Sequence, residues 1–178
     1  SRRKAEELIS SGKVTVNGTD ITSLDENKLC LFRQKNLGFI FQSYNLLPSL
    51  TALENVELTL IFAGIPPKER KAKAEAFLER VGLADRMDHK PNELSGGQQQ
   101  RVSVARALVN DPPIVLADEP TGNLDSRTGL EIMNLMRRMN KEEKRTFLVV
   151  THDHALARLA DRIIFMRDGL VVEEEIVA

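Results

Sequence analysis

The amino-acid sequence predicts an α/β domain with a parallel sheet at its centre. Two uninterrupted apolar runs, Ile-Val-Leu-Ala at 114–117 and Phe-Leu-Val-Val within 146–150, are typical of strands covered by helices on both faces. A segment with helical signals at 126–140 lies between them, which gives the strand–helix–strand order of a parallel unit. With 178 residues, 42% of them hydrophobic, the chain has the length and the apolar content of one domain.

Charge and cysteine content narrow the classes of function. The chain has 25 Lys and Arg against 26 Asp and Glu, so its formal net charge is −1. Because this balance creates no overall positive field, we expect no nucleic-acid partner. Cys30 is the single cysteine, so we expect no internal disulfide, which is typical of a reducing compartment.

The first half of the chain is predicted to open with a small antiparallel piece and to continue into helices. Alternation over 13–16 runs into Asn17-Gly18, a strong hairpin signal, and residues 37–41 form a second strand candidate. Thr51 and Glu54 have capping-box spacing for a helix that ends near residue 63. Apolar residues at helical spacing predict a further helix over 68–81, followed by Gly82. We therefore expect a largely helical subdomain at about 50–94, inserted in the α/β core.

The second half alternates helices and strands. The pattern predicts, in order, a helix at 96–110, a strand at 114–117, a helix at 126–140, a strand at 146–150 and a short helix after Asp153. A closing hairpin is expected from strands at 163–166 and 170–172, joined by Asp168-Gly169.

The sharpest local signal is Leu-Ser-Gly-Gly-Gln-Gln-Gln-Arg at 94–101. Ser95 and Gln98 have the spacing of a capping box, which explains two of these residues. Gly96 and Gly97 are unfavourable at helical positions, and capping alone does not account for them. A glycine-bearing helix N-terminus lets an anion approach free backbone N–H groups, so phosphate contact and simple capping both remain open here.

Polar side chains also follow three predicted strands. Asp118 and Glu119 come after the strand at 114–117, His152 after the strand at 146–150, and Gln42 after the strand at 37–41. Parallel strands deliver their carboxyl ends to one edge of a sheet, where ligands of such folds bind. Taken singly, each signal also fits an ordinary acidic loop, a structural histidine or an exposed glutamine. Together at one edge, these side chains are suited to positioning Mg²⁺, a water molecule and a terminal phosphate.

The order and spacing of these motifs resemble the nucleotide-binding domain of ABC transporters, over about residues 11–172. The matching segments are the Q-loop at Gln42, the signature at 94–101, the Walker B strand at 114–119, the D-loop at 122–125 and the switch histidine His152. The sequence at 50–56 and 117–125 is similar to that of the branch that contains the MacB, LolD and FtsE ATPases. Partners in that branch handle macrolides, peptides, lipoproteins or the cell-division machinery. The resemblance implies an ABC-type P-loop NTPase fold with a mixed or parallel sheet core.

The resemblance also implies roles for single residues in ATP hydrolysis with Mg²⁺. Asp118 would support the metal, Glu119 would polarise the attacking water and His152 would contact the γ-phosphate. Gln42 would sense that phosphate and touch the metal and the water.

Two such domains pair head to tail in this family, and the pair acts on a membrane protein. Ser95, Gly96, Gly97 and Gln98 would therefore face ATP bound by the opposing domain, and Asp125 would lie at the seam. Residues 44–53 would lie near the groove that receives an integral membrane transporter subunit. The implied location is cytoplasmic, peripheral on the inner face of the cell membrane.

One family motif has no match in the sequence. The P-loop, G-x-x-x-x-G-K-[ST], cradles the phosphates with backbone N–H groups and a lysine, whereas Gly12-Lys13 is followed by Val14 and lacks the earlier glycine. We therefore expect an N-terminally incomplete cassette: an unmatched segment at 1–10, an ATPase domain at 11–178, and no hydrolysis by these residues alone.

Two alternatives remain open. The chain can serve as a nucleotide-independent interaction module that donates its signature face to a complete partner ATPase. The head of a DNA-repair or chromosome-organising ATPase shares the signature, but such heads are split by long coiled coils. The segment between Gln42 and Ser95 is short and has no sustained heptads, so we rank this alternative last.

Overall fold

A computed structural model describes residues 14–177, and the segment predicted to be unmatched, 1–10, lies outside them. The chain opens with a hairpin of β1 (Thr15–Val16) and β2 (Thr19–Asp20), followed by a 3₁₀ turn. Asn17 and Gly18 form its turn with φ values of 49° and 80°, the left-handed pair that a tight hairpin requires. The predicted hairpin is confirmed within the described residues.

Helix α1 (Glu26–Asn36) is an element that the sequence pattern does not predict. Asp25 begins it by accepting a hydrogen bond from the backbone N–H of Lys28. None of its residues is buried, so it carries no apolar stripe from which a helical period can be read. Strand β3 (Leu37–Phe41) begins where this helix ends, as predicted.

Two helices lie in the segment for which a helical subdomain is expected. Helix α2 (Ala52–Phe62) begins with the predicted capping box, in which Thr51 and Glu54 exchange hydrogen bonds of 2.8 and 3.2 Å. Helix α3 (Pro67–Arg80) ends before Gly82, whose φ is 79°.

The remaining elements follow the predicted order with small changes in length. They are α4 (Gly96–Leu108), β4 (Ile114–Asp118), α5 (Ser126–Glu143), β5 (Thr146–Val150), α6 (His154–Ala157), β6 (Arg162–Arg167) and β7 (Leu170–Ile176). Strands β6 and β7 pair antiparallel through the predicted turn. Within the described residues, no helix combines the length and the apolar character needed to cross a membrane.

Strands β3, β4 and β5 form a parallel sheet in that spatial order. The register places Phe41 beside Asp118, and Asp118 beside Val150. The three carboxyl ends therefore lie at one edge, as the strand pattern predicts.

One face of this sheet packs against α4 and α5. Ile40, Val115 and Ala117 point to that face and are buried in the main core. Among the described glycines, Gly38 has the least room for a side chain, because a Cβ there would stand 2.3 Å from the carbonyl oxygen of Ala107. Glycine is therefore required where β3 and α4 meet backbone to backbone.

The strand pattern predicts helices on both faces, and none of the described helices covers the opposite face. Among the described residues it is open: Phe39, Leu148 and Val150 are 37%, 55% and 55% exposed. Phe39 and Phe41 stack on this side with ring centroids 6.1 Å apart. The apolar runs are therefore real strands, but α4 and α5 lie on the same side of them.

Candidate functional site

The candidate site is the sheet edge at which β3, β4 and β5 end. Gln42 is the first residue after β3, Glu119 the first after β4, and His152 the second after β5. The backbone N–H of Glu119 donates to the carbonyl of Val150 at 2.9 Å, which ties two of these ends together. The predicted convergence of the site residues is thus present in the fold.

Glu119 and His152 are in direct contact. Oε1 of Glu119 lies 2.7 Å from Nδ1 of His152 and accepts the backbone N–H of His152 at 3.1 Å. Glu119 has a φ of 44°, a left-handed conformation that costs a non-glycine residue about 1 kcal/mol or more. The strained turn directs the carboxylate toward the end of β5, a pairing that strand-end reasoning does not predict.

The pairing has an electrostatic consequence for His152. The hydrogen bond to Glu119 and the negative charge of that carboxylate raise the pKa of His152 above its usual value. Nδ1 is used by Glu119, so Nε2 is the ring nitrogen left for another group. The imidazole is 82% exposed, so an anion can reach it.

Gln42 is held by the loop between β4 and α5. Its Nε2 donates to Oδ1 of Asn123 at 3.3 Å, and Nδ2 of Asn123 donates to the carbonyl oxygen of Gln42 at 3.0 Å. Gly122 makes this possible, because a Cβ there would lie 2.6 Å from Nε2 of Gln42. These contacts leave Oε1 of Gln42 as the oxygen available to a metal or a water molecule. The part played by Asn123 is visible only in the fold, since 81 residues separate it from Gln42.

Asp118 is exposed at the end of β4, between Phe41 and Val150 in the register. Within residues 14–177 no group of three His, Cys, Asp or Glu side chains is arranged to hold a metal ion. Mg²⁺ usually binds one or two protein oxygens and takes its other ligands from water and phosphate. The exposed Asp118 carboxylate and Oε1 of Gln42 are oxygens of the kind that this mode of binding uses.

Ser95 and Gln98 form the predicted capping box at the start of α4. The Ser95 N–H donates to Oε1 of Gln98 at 2.9 Å, and the Gln98 N–H donates to Oγ of Ser95 at 3.3 Å. The two glycines that follow are packed closely. A Cβ on Gly96 would stand 2.8 Å from the Tyr44 hydroxyl, and one on Gly97 would stand 2.5 Å from Cγ2 of Thr128.

This close packing explains why both positions are glycine, and the sequence alone does not reveal it. It does not exclude phosphate contact, since the backbone N–H groups of the first turn still face outward from the helix end. Within the described part of the chain, no hydrogen bond joins this helix start to Glu119 or His152.

Asp125 begins helix α5. Its carboxylate accepts the Thr128 hydroxyl at 2.6 Å and the Thr128 N–H at 3.0 Å. These hydrogen bonds lower the pKa of Asp125. Because the Thr128 methyl group lies against Gly97, Asp125 fixes the residue that packs on the start of α4.

A parallel sheet whose strand ends carry an amide, two carboxylates and a histidine is the arrangement expected of a nucleotide-binding α/β domain. The chain belongs to the ABC transporter family, whose profile matches residues 4–122.

Relatives and solved structures agree with this assignment. An uncharacterized ABC transporter ATP-binding protein of Thermotoga maritima is 53% identical over 162 residues, which are 91% of this chain and 69% of that protein. The macrolide export ATP-binding/permease protein MacB of Bradyrhizobium diazoefficiens is 51% identical over 93% of this chain, which spans only 25% of MacB.

A solved structure similar to this chain is the dimeric post-hydrolysis state of the ATP-binding cassette MJ0796 bound to ADP and Pi. It has a TM-score of 0.84 and 44% sequence identity, and the match covers 99% of this chain and 81% of that one. The expected fold, an ABC ATPase cassette, is confirmed.

Proposed function

We propose that this chain is an ATP-hydrolysing component of an ABC transporter, and that the edge formed by Gln42, Asp118, Glu119 and His152 is part of its catalytic site. The observation that carries the proposal is the Glu119–His152 pair at the carboxyl edge of the sheet, with Oε1 and Nδ1 2.7 Å apart. Family membership and the similarity to a cassette solved with ADP and Pi support it.

Each residue has a chemical task in this proposal. Oε1 of Glu119 is engaged by His152, so its second oxygen is free to accept a proton from a water molecule and orient it for attack. His152 is kept cationic to a higher pH by Glu119, and its Nε2–H can donate to a phosphate oxygen. Mg²⁺ bound with the nucleotide would neutralise developing phosphate charge, with Asp118 and Gln42 as the protein oxygens.

The start of α4 serves a second nucleotide in the proposal. Ser95, Gly96, Gly97 and Gln98 would contact ATP held by an opposing domain in a head-to-tail pair, with Asp125 near the seam. The dimeric cassette structures that match this chain support such a pair.

A membrane partner completes the proposed assembly. The MacB relatives join an ATP-binding domain and a permease in one protein, which supports an integral membrane partner for this chain. The chain would then act at the cytoplasmic face of the membrane, with its transported substrate chosen by that partner.

These 178 residues contain no G-x-x-x-x-G-K-[ST] motif. We therefore propose that they do not hydrolyse ATP alone, and that they complete a site on a cassette that has the motif.

The test is a rescue experiment with the cassette MJ0796, to whose solved structure this chain is similar. That cassette is first inactivated by an aspartate in place of the second glycine of its own signature, and this chain is then added in excess. We expect Mg²⁺-dependent phosphate release to rise with the concentration of the added chain. No rise at saturation would overturn the proposal.

Matched variants of Ser95 identify the surface responsible. Asn and Asp both cap helices well, so Ser95→Asn and Ser95→Asp should fold alike. Only the aspartate adds a negative charge where a phosphate would bind, so Ser95→Asp should abolish the rescue and Ser95→Asn should retain most of it. Equal rescue by the two variants would contradict the assignment of this surface. Gly97→Asp should also fail, although its contact with Thr128 perturbs packing as well.

A further inference from the structure

Arg106, on helix α4, binds the loop that follows Gln42. Its Nη1 donates to the carbonyl oxygen of Asn45 at 2.5 Å, and its Nη2 donates to that of Tyr44 at 2.8 Å. Both loop residues are left-handed, with φ values of 60° for Tyr44 and 50° for Asn45. That conformation is unfavourable for Tyr44 and less so for Asn45, and the forked guanidinium supplies one hydrogen bond to each residue that holds it there.

Tyr44 also reaches the other end of the same helix. Its hydroxyl lies beside Gly96, 2.8 Å from the position that a Cβ there would take. Partial burial of the ring raises the pKa of Tyr44. One residue therefore joins the two ends of α4: its carbonyl is held by Arg106, and its ring packs against the signature glycine.

Gln100, between these two points on α4, binds the same region. It is fully buried, and its Nε2 donates to the carbonyl oxygen of Pro120 at 2.5 Å and to that of Phe41 at 3.4 Å. Phe41 directly precedes Gln42, and Pro120 directly follows Glu119. The chain on both sides of Gln42 is thus anchored to one helix.

The geometry points to Arg106 and Tyr44 as positioning residues that couple the Gln42 loop to the start of α4. A displacement of the loop at Gln42 moves the Tyr44 ring and with it the packing of Gly96. The inference that this coupling serves communication between two nucleotide sites rests on the proposed function. The coupling itself is a property of this chain without nucleotide.

Hydrogen–deuterium exchange of the full chain tests the coupling. The reporters are amides with known acceptors: Asn45 in the loop, and Ser95 and Gln98 at the start of α4. Arg106→Met keeps the aliphatic stem but removes the fork. We expect exchange at Asn45 to become roughly tenfold faster, and exchange at Ser95 and Gln98 to become about threefold faster or more.

Arg101→Met is the matched control on the same helix. Arg101 lies five residues nearer to Ser95, but it binds the carbonyl oxygen of Val81 and the carboxylate of Glu131. If weakening of the helix explained the effect, this control would accelerate Ser95 and Gln98 at least as much as Arg106→Met does. That result would overturn the coupling.

A double-mutant cycle with Tyr44→Ala tests the route. Without the ring, Arg106→Met should still loosen Asn45 but should no longer change exchange at Ser95 and Gln98. An unchanged response in the Tyr44→Ala background would also overturn the proposal. Arg106→Lys, which keeps the charge without the fork, should give intermediate values, and it replaces Arg106→Met if that variant does not fold. The measurement needs no hydrolysis, so a failed rescue assay would count against the proposed function and leave this result standing.

Discussion

Glu119 receives both the backbone N–H and the ring of His152 on the same oxygen, at 3.1 and 2.7 Å. The contact joins the first residue after β4 to the second residue after β5. It therefore depends both on the relative position of the two strand ends and on the negative charge of the Glu119 carboxylate.

The first prediction concerns the titration of His152. Glu119→Gln removes the negative charge that raises the pKa of His152, so that pKa should fall toward its ordinary value of 6.5. Because the folded pKa is raised, the stabilising effect of the pair is fully present below pH 6.5 and is lost as the pH rises through the folded pKa. NMR titration of the His152 ring protons in the two proteins measures the shift. An unchanged pKa of His152 would show that Glu119 is not its partner in solution.

The second prediction concerns the contact of Gly97 with Thr128. Gly97→Ala places a methyl group 2.5 Å from Cγ2 of Thr128 and should lower the free energy of unfolding by about 2 kcal/mol. Thr128→Ser removes that methyl group and keeps the hydroxyl that binds Asp125. In urea denaturation, the double variant should recover most of the loss. Additive effects of the two substitutions would contradict the packing explanation.

The third prediction concerns Asn55, which is fully buried at the start of the helical region. Its Oδ1 accepts the Leu47 N–H at 2.8 Å, and its Nδ2 lies 2.9 to 3.2 Å from the carbonyl oxygens of Leu47, Leu50 and Thr51. Asn55→Leu removes all of these bonds and should cost about 3 kcal/mol in the free energy of unfolding. The exposed Asn27→Leu should cost less than about 0.5 kcal/mol and is the control. Similar urea midpoints for the two variants would refute the role of Asn55.

The fourth prediction concerns the open face of the sheet. The exposed Leu148 should make the chain bind an environment-sensitive dye such as ANS, and Leu148→Thr should weaken that fluorescence with little effect on stability. Val149 points to the opposite face and packs against the core, so Val149→Thr should instead lower the free energy of unfolding by about 1 kcal/mol. Dye binding that does not respond to Leu148→Thr would place the apolar surface elsewhere.

Strands and capped helices are the elements that the sequence predicts well. The strands at 37–41 and 146–150 match β3 and β5, and Thr51 with Glu54 forms the expected capping box. These features depend on residues close together in the chain. Helix α1 was not predicted, because it buries nothing and so leaves no periodic pattern.

Contacts between distant residues are the part that the sequence does not provide. Residue pattern predicts that Glu119 and His152 share an edge, but the hydrogen bond between them depends on the left-handed turn at Glu119. At Gly97 the sequence leaves capping and phosphate approach open, and it does not show that Thr128, on another helix, packs against this glycine. The open face is a further case, since an apolar run has the same pattern whether one helix layer covers it or two.

The close contact between Gly38 and Ala107 holds the C-terminal end of helix α4 against the sheet, so a small rotation about this contact moves the start of the helix farthest. The backbone contact lies near the C-terminal end of the helix, and Gly96 begins the helix 11 residues away, about 16 Å along its axis. A pivot of about 5° at the fixed end would therefore swing the start of the helix by roughly 1.4 Å, half the length of a hydrogen bond. A swing of this size is large enough to make or break the contacts of Gly96 with Tyr44 and of Gly97 with Thr128.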